Sequence, residues 1–193
     1  MTHDILISGF GGQGVMAIGK TLAEGGMKEG YEVSWLPSYG PEMRGGTANC
    51  SVVISDDMII SPIVLEPTLL IAMNTPSLVK FGPNVIPEGK VFVNSSIVDM
   101  AVERTDVSAY YVPTMEIAQK LGNPRVANMV MLGAVNHVTG LLREETVREM
   151  LSQLFTGPKA NLVELNLEAL RMGAACAAND ACMIWSNTHE YHD

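Results

Sequence analysis

Three glycines near the start of the chain occur at a spacing that could bind a negatively charged group. The apolar run at residues 4–8 leads directly into Gly9-x-Gly11-x-x-Gly14, and apolar residues then recur at helical spacing from Val15 onward. This pattern predicts a buried strand, a tight turn and the start of a helix. Backbone N–H groups at such a turn can face a phosphate. The alternative interpretation is a glycine turn that only closes a strand–helix unit.

The second strand argues against a nicotinamide cofactor at this turn. Nicotinamide-binding folds of this type usually carry an acidic residue at the end of that strand, where it binds the ribose hydroxyls. Here the predicted strand, residues 32–36, has Glu32 at its start and no carboxylate at its end. We therefore expect no NAD binding. A free-standing nucleotide-binding module or NAD-dependent enzyme is the alternative function, and tight NAD binding by a monomer would establish it.

A second segment rich in glycine and proline, residues 37–47, follows the second strand. In a doubly wound sheet this position lies at the carboxyl edge beside the first glycine turn, where ligands collect. Glu42 and Arg44 are the only charged residues of the segment, and we expect a shaped loop to present them. The alternative is a surface turn whose two charges are only solvated.

The residue types that usually perform catalysis or bind metals form no recognisable pattern. The sequence has no Ser-His-Asp or Cys-His spacing and no paired carboxylates on one helix face. Cys50, Cys176 and Cys182 match no ferredoxin or zinc spacing, and we interpret Cys50 as a small buried side chain. His189 and His192 lie in a polar chain end that we expect to be frayed. We predict no catalytic residue, iron–sulfur cluster or metal in this chain.

Composition and charge argue against several classes of function. The chain has 193 residues and a formal net charge of −9, with no basic stripe to neutralise nucleic-acid phosphates. Its hydrophobic content of 47% leads us to expect apolar surface at contacts with other subunits. It has no apolar run of about 18 residues and no signal-like N-terminus. These features predict a cytoplasmic protein that binds neither nucleic acid nor membrane.

The order of predicted elements indicates one α/β domain over residues 1–193. It has a Rossmann-like, mainly parallel sheet flanked by helices, with a helical C-terminal portion. The predicted strands cover residues 4–8, 32–36, 47–55, 69–73, 91–94 and 109–112. The predicted helices cover residues 15–28, 77–81, 117–121, 126–139, 144–154 and 159–174.

The helix predicted over residues 126–139 is apolar nearly all round. Either it is central to the domain or one of its faces contacts a partner subunit, because a single sheet cannot bury every side of a helix. Gly133 would permit a close approach. The apolar side chains concerned are Met129, Val130, Leu132, Ala134 and Val138.

Five motifs along residues 4–173 match one protein family in type and order. They are Gly9-Phe10-Gly11-Gly12-Gln13-Gly14 with Ser38-Tyr39-Gly40-Pro41-Glu42-Met43-Arg44-Gly45-Gly46, then Ile60-Ser61-Pro62, Asn94-Ser95-Ser96, and Gly122-Asn123-Pro124-Arg125 followed by Asn128-Met129-Val130-Met131-Leu132-Gly133-Ala134. Together they resemble the gamma subunit, or gamma domain, of the 2-oxoacid:ferredoxin oxidoreductases. The short separate chain is most similar to the 2-oxoglutarate or branched-chain 2-oxoacid enzymes, with an indolepyruvate enzyme as a further candidate.

The resemblance implies a component of a multi-subunit enzyme that converts a 2-oxoacid to an acyl-CoA. In that family the complex uses thiamine diphosphate, Mg²⁺, iron–sulfur clusters and coenzyme A, and the diphosphate and cluster sites belong to other subunits or domains. The implied partners are alpha and beta subunits, a ferredoxin-like delta subunit as a further candidate, and ferredoxin or another electron acceptor. The expected role of this chain is assembly and help in receiving coenzyme A. The expected binding residues are Gly9, Gly11, Gly12, Gln13, Gly14, Tyr39, Glu42, Arg44, Gly45 and Gly46.

Overall fold

The computed structural model of the chain describes residues 1–38, 47–179 and 182. Its strands are Thr2–Phe10 (β1), Glu32–Ser38 (β2), Thr47–Ser55 (β3), Leu69–Ala72 (β4), Lys90–Asn94 (β5) and Ser108–Val112 (β6). Its α-helices are Val15–Lys28 (α1), Thr75–Phe81 (α2), Thr114–Lys120 (α3), Ala127–Thr139 (α4), Glu144–Leu154 (α5) and Asn161–Ala177 (α6). Within this described part, no helix is both long enough and apolar enough to cross a membrane.

The six strands form one sheet in the order β2-β3-β1-β4-β5-β6. Strands β1, β4, β5 and β6 pair in parallel, whereas β3 is antiparallel to both β1 and β2. Because β2 therefore runs in the same direction as β1, only β3 is reversed. The prediction of a mainly parallel α/β sheet with a helical C-terminal portion is confirmed. Strand β3 lies between β2 and β1. The end of β2 is therefore one strand further from the glycine turn than it would be in a doubly wound sheet, where β2 is next to β1.

The two faces of the sheet are covered unequally. The first face packs against α1, α3, α4, α5 and α6, and buries residues such as Ile5, Ile71 and Phe92. The second face, which includes Leu6 and Leu70, is covered by the short α2 and by irregular segments. The larger core therefore lies on the helical face, and the second face has a thin cover.

Helix α4 lies inside the helical layer. Every residue from 129 to 135 is buried, and α4 packs against α6. A Cβ atom at Gly133 would lie 1.9 Å from the carbonyl oxygen of Leu170, and one at Gly173 would lie 1.9 Å from that of Val130. Each glycine thus admits the backbone of the other helix. The sequence left open whether this apolar helix is central to the domain or contacts a partner subunit, and in the structure it is central.

A carboxylate with little solvent exposure joins the end of α1 to the start of α5. The Glu29 side chain is only 9% exposed and accepts hydrogen bonds from the Arg143 backbone N–H (2.9 Å), the Arg143 Nε (2.7 Å) and the Thr146 hydroxyl. Burial by itself raises the pKa of Glu29. The hydrogen bonds from Thr146 and Arg143, with the Arg143 charge, outweigh burial and leave this pKa below its usual value of 4.5.

Replacing Glu29 by glutamine is expected to lower the free energy of unfolding by about 1–2 kcal/mol at pH 7, because three donors lose a charged acceptor. The stabilisation by the carboxylate is present above the unfolded-state pKa and is lost as pH falls through the lower folded-state pKa. The difference between wild type and variant should therefore shrink below about pH 4.5. Urea unfolding at pH 7 and in acid measures it.

The matched control is Glu149→Gln, which removes an exposed ion pair to Lys28 between the same two helices. Exposed ion pairs contribute little to stability, so this variant should unfold almost like wild type. Equal effects of the two substitutions would contradict the role assigned to Glu29.

Candidate functional site

A pocket of about 200 Å³ lies at the carboxyl edge of the parallel strands. The glycine turn after β1 forms one wall, the ends of β4 and β5 form the floor, and the starts of α3 and α4 form the other wall. Its lining residues come from five separate stretches of the chain, namely Gly12, Gln13, Gly14, Met73, Asn94, Ile97, Thr114, Met115, Pro124, Arg125, Ala127 and Asn128.

The side chain of Gln13 ties the glycine turn to the sheet. Its Oε1 accepts a hydrogen bond from the Phe10 backbone N–H at 2.6 Å, and its Nε2 donates to the Met73 carbonyl at 3.1 Å. Asn74 Nδ2 also donates to Gln13 Oε1, at 3.4 Å. The amide of Gln13 is therefore used to hold the turn between β1 and β4.

The glycines of the turn have different surroundings. Gly9 is buried, and Gly11 and Gly12 are exposed at the top of the turn. Gly14 precedes α1 with φ 81°, and a Cβ atom there would lie 2.6 Å from the Cβ of Asn128. The start of α4 is thus packed directly against the glycine turn.

The backbone of the turn presents unpaired donors. The N–H groups of Gly11, Gly12 and Gly14 donate no hydrogen bond within the described residues, whereas that of Gln13 donates to the Phe10 carbonyl. Because the 14-residue helix α1 begins here, its positive dipole end adds to these donors. The turn can therefore bind an anion.

A chain of buried polar side chains supports the floor of the pocket. Asn94 is 1% exposed, accepts from Thr114 Oγ1 at 2.7 Å and donates to the Met73 carbonyl at 3.4 Å. Asn74 accepts from the Ser77 backbone N–H at 2.9 Å and so caps α2. These side chains fix the strand ends that carry the pocket, because buried polar groups need such partners.

Among the described residues that line the pocket, Arg125 is the one that carries a charge, and none is a carboxylate. It follows Pro124 in the short turn before α4, where Asn123 Oδ1 accepts from the Arg125 backbone N–H at 3.1 Å. Its exposed guanidinium has no ion pair within the part of the chain that is described. Although the chain has a net charge of −9, the guanidinium of Arg125 supplies local positive charge that can bind an anion.

The described residues of the lining offer binding groups and no set of groups for covalent chemistry. It combines backbone amides, side-chain amides, one threonine hydroxyl and one guanidinium with the apolar side chains of Met73, Ile97 and Met115. Across residues 1–38, 47–179 and 182, no three His, Cys, Asp or Glu side chains come together to hold a metal ion. The arrangement can bind a phosphate or carboxylate beside an apolar group.

Five of the expected binding residues, and two histidines, lie outside the described residues. The five are Tyr39, Glu42, Arg44, Gly45 and Gly46, and the histidines are His189 and His192. The strands on either side of the first group end near the glycine turn, since Ser38 pairs with Asn49 and Thr47 pairs with Phe10. The described residues that flank segment 39–46, Ser38 and Thr47, therefore lie at the pocket's edge of the sheet.

The cysteines occupy two different settings. Cys50 on β3 is fully buried, and burial raises the pKa of its thiol to about 11 despite a hydrogen bond from Trp35. The interpretation of Cys50 as a small buried side chain is confirmed. Cys176 and Cys182 are joined by a disulfide.

The sequence profile of the pyruvate ferredoxin/flavodoxin oxidoreductase family matches residues 4–176. The chain belongs to this family. A solved gamma subunit of a keto/oxoacid ferredoxin oxidoreductase, from Geobacter sulfurreducens PCA, has the same fold with a TM-score of 0.75 and 29% identity. That comparison covers 91% of this chain and 98% of the Geobacter chain.

Two relatives in the pyruvate ferredoxin/flavodoxin oxidoreductase family differ greatly in length. The ketoisovalerate oxidoreductase subunit VorA of Methanothermobacter thermautotrophicus is 43% identical over 90% of this chain, but the match covers only 36% of VorA. The 2-oxoglutarate synthase subunit KorC of Methanocaldococcus jannaschii is 34% identical over 90% of this chain and 92% of KorC. The chain thus spans about a third of the longer relative and nearly all of the shorter one.

Proposed function

We propose that the chain is the gamma-type subunit of a multi-subunit 2-oxoacid:ferredoxin oxidoreductase, which oxidatively decarboxylates a 2-oxoacid to an acyl-CoA. Full-length similarity to a 2-oxoglutarate synthase subunit and to a keto/oxoacid oxidoreductase gamma subunit supports this role. The substrate is 2-oxoglutarate or a branched-chain 2-oxoacid, which are the substrates in the names of these relatives.

The role of this chain is assembly and reception of coenzyme A, with catalysis left to other subunits. Thiamine diphosphate with Mg²⁺ needs carboxylate ligands, and iron–sulfur clusters need closely spaced cysteines. Within the described residues, no three His, Cys, Asp or Glu side chains come together, and the three cysteines are a buried thiol and a disulfide pair. The alpha, beta and ferredoxin-like subunits hold these groups in our proposal, and electrons leave through them to ferredoxin or another acceptor.

The pocket beside the glycine turn is the reason for proposing coenzyme A as the ligand. Coenzyme A bears phosphate groups, and the described lining of the pocket combines free amide donors with Arg125 and contains no carboxylate. Its volume of about 200 Å³ is smaller than the roughly 300–1,000 Å³ typical of complete ligand pockets. It therefore binds one part of coenzyme A, with neighbouring subunits contacting the rest, and Arg44 extends the site from the segment 39–46.

The sheet topology disfavours the alternative, an NAD-dependent enzyme. The neighbour of β1 on this side is the antiparallel β3, which begins at the pocket edge. In nicotinamide-binding folds, this position holds a parallel strand that ends in a carboxylate, and this carboxylate binds the ribose. Here β3 occupies the position, and the parallel strand β2 ends in Ser38, which has no carboxylate. A glycine turn followed by this strand order supports phosphate binding without the ribose contact of nicotinamide cofactors.

Arg125→Ala in the assembled complex is expected to raise the KM for coenzyme A about tenfold. A charge-assisted hydrogen bond contributes about 1.5–3 kcal/mol, and 1.4 kcal/mol corresponds to a tenfold change in affinity. The KM for the 2-oxoacid and the elution volume of the complex should not change. Steady-state kinetics and gel filtration measure these quantities, and Arg125→Lys should restore part of the affinity.

Lys120→Ala is the matched control, because it removes an exposed positive charge from α3 without touching the pocket lining. Arg44→Ala tests the other glycine-rich segment in the same assay. A raised coenzyme A requirement supports ligand contact, and loss of the complex supports pairing of Arg44 with Glu42 or a neighbouring subunit. Wild-type kinetics for both Arg125→Ala and Arg44→Ala would contradict the proposed coenzyme A site.

A further inference from the structure

The irregular segment 58–66 exposes several large apolar side chains close together in the chain. Four of its side chains are strongly exposed: Met58 by 86%, Ile60 by 98%, Ile63 by 59% and Leu65 by 75%. The segment connects β3 to β4 over the thinly covered face of the sheet. Contiguous exposed apolar side chains of this kind mark an interaction site.

One side of the segment packs against the core, and the other side is exposed to solvent. Val64 is 7% exposed and belongs to the core of this sheet face, and Ile59 packs against the same core. Among the backbone N–H groups of residues 58–66, that of Ile63 alone donates to another described residue, namely to the Ser61 hydroxyl at 3.2 Å. A backbone with so few internal hydrogen bonds leaves groups to which a partner can bind.

The exposed segment continues into an apolar groove. Leu65 lines the same depression as Pro83 and Arg104, and these two residues also line a groove of about 310 Å³ between α2 and the segment 100–104. Val79, 58% exposed, lies in this groove. We call segment 58–66 and the groove together the second-face surface.

Negative charge surrounds the second-face surface. The exposed carboxylates of Asp57, Glu66 and Glu103 flank the segment or line the groove, whereas that of Asp56 is paired with the N-terminal ammonium group at 2.6 Å. The guanidinium of Arg104 is already engaged by Asp106 and by the carbonyl oxygens of residues 82, 83 and 85. On α2 the ammonium of Lys80 lies 5.0 Å from the centre of the Phe81 ring. A complementary partner is aliphatic at its centre and basic at its rim.

We propose that the second-face surface docks the companion chain that corresponds to the part of VorA beyond this domain. The match accounts for 36% of VorA, so there the same domain is joined to about twice its own length of polypeptide. A second copy of this chain fits less well, because a two-fold contact would bring the acidic rims together. This inference rests on the proposed function, since it places one companion of the same enzyme.

The test uses the companion chain whose sequence matches the uncovered part of VorA, co-expressed and purified. The variant is Ile60→Asp with Leu65→Asp, and the matched control is Met27→Asp with Leu154→Asp, two exposed apolar residues in the depression between α1 and α5. Buried carboxylates without partners oppose binding, so the first variant should bind the companion on the order of a hundredfold more weakly. The control should bind like wild type, and both variants should keep the wild-type circular dichroism spectrum.

Hydrogen exchange gives a second measurement on unmodified protein. The amides of residues 58–66 should exchange more slowly in the wild-type complex than in the free chain. Wild-type binding by the Ile60→Asp, Leu65→Asp variant, with unchanged exchange, would overturn the docking surface and leave the proposed function standing. A wild-type chain that does not bind the companion would overturn both. A homodimer dissolved by these substitutions would assign the surface to a second copy and overturn the inference.

Discussion

Gly133→Ala is expected to destabilise the chain by about 3 kcal/mol or more, because the added methyl group overlaps the backbone of α6. The site of that methyl group is 1.9 Å from the carbonyl oxygen of Leu170, and a backbone atom cannot move away as a flexible side chain can. Such a loss is a large part of the roughly 5–15 kcal/mol that stabilises a typical domain. Urea unfolding followed by circular dichroism measures it, and Gly173→Ala should have a similar effect from the opposite helix.

Gly82→Ala is the control for this substitution. A Cβ atom at Gly82 has its nearest neighbour at 3.4 Å, in the flexible side chain of Leu78, and the backbone there has φ −54°. We expect nearly wild-type stability for it. If Gly133→Ala unfolded at the same urea concentration as Gly82→Ala, helices α4 and α6 could not cross as closely as described.

The second large expectation concerns the isolated chain, which should show no 2-oxoacid-dependent reduction of an electron acceptor. The described residues contain no metal-binding cluster, and their three cysteines are a buried thiol and a disulfide pair. The purified chain should also lack the visible absorbance of an iron–sulfur cluster. Turnover by the chain alone, after companion subunits have been removed, would contradict the role proposed for it.

Local patterns in the sequence were sufficient to predict most elements. Helices α1 and α5 have the predicted bounds, because apolar residues recur at helical spacing and a glycine turn or a pair of glutamates marks the start. Strand β3 also has its predicted bounds, over Thr47–Ser55. These elements depend on residues close together in the chain, which sequence periodicity reports directly.

The position of β3 could not be predicted from such patterns. Strand β3 is buried almost continuously, a pattern compatible with several neighbours. Its pairing with β1 brings together residues about 45 positions apart, such as Ser51 and Leu6. Similarly, the apolar surface of α4 was visible in the sequence, but its burial against α6 depends on Gly133 meeting Leu170. Strand order and helix contacts are long-range properties of the folded chain.

The candidate site was predicted only in its first half. The glycine turn lines the pocket, but Arg125 comes from the short turn before α4 and Asn128 from the first turn of α4, more than a hundred residues later. The available signal was Asn123-Pro124, which marks a helix start and so places Arg125 in its first turn. Nothing local in the sequence indicated that this helix start would pack against Gly14. The participation of Glu42 and Arg44 remains a prediction.

Reconstitution tests the central claim most directly, namely that this chain is an essential subunit that receives coenzyme A. The companion subunits are purified without it, and coenzyme A-dependent reduction of ferredoxin is measured as the chain is added back. We predict background activity without the chain, and activity that rises to a plateau at a fixed stoichiometry, with the KM for coenzyme A sensitive to Arg125. Full turnover by the companions alone, with the same KM for coenzyme A, would contradict the claim.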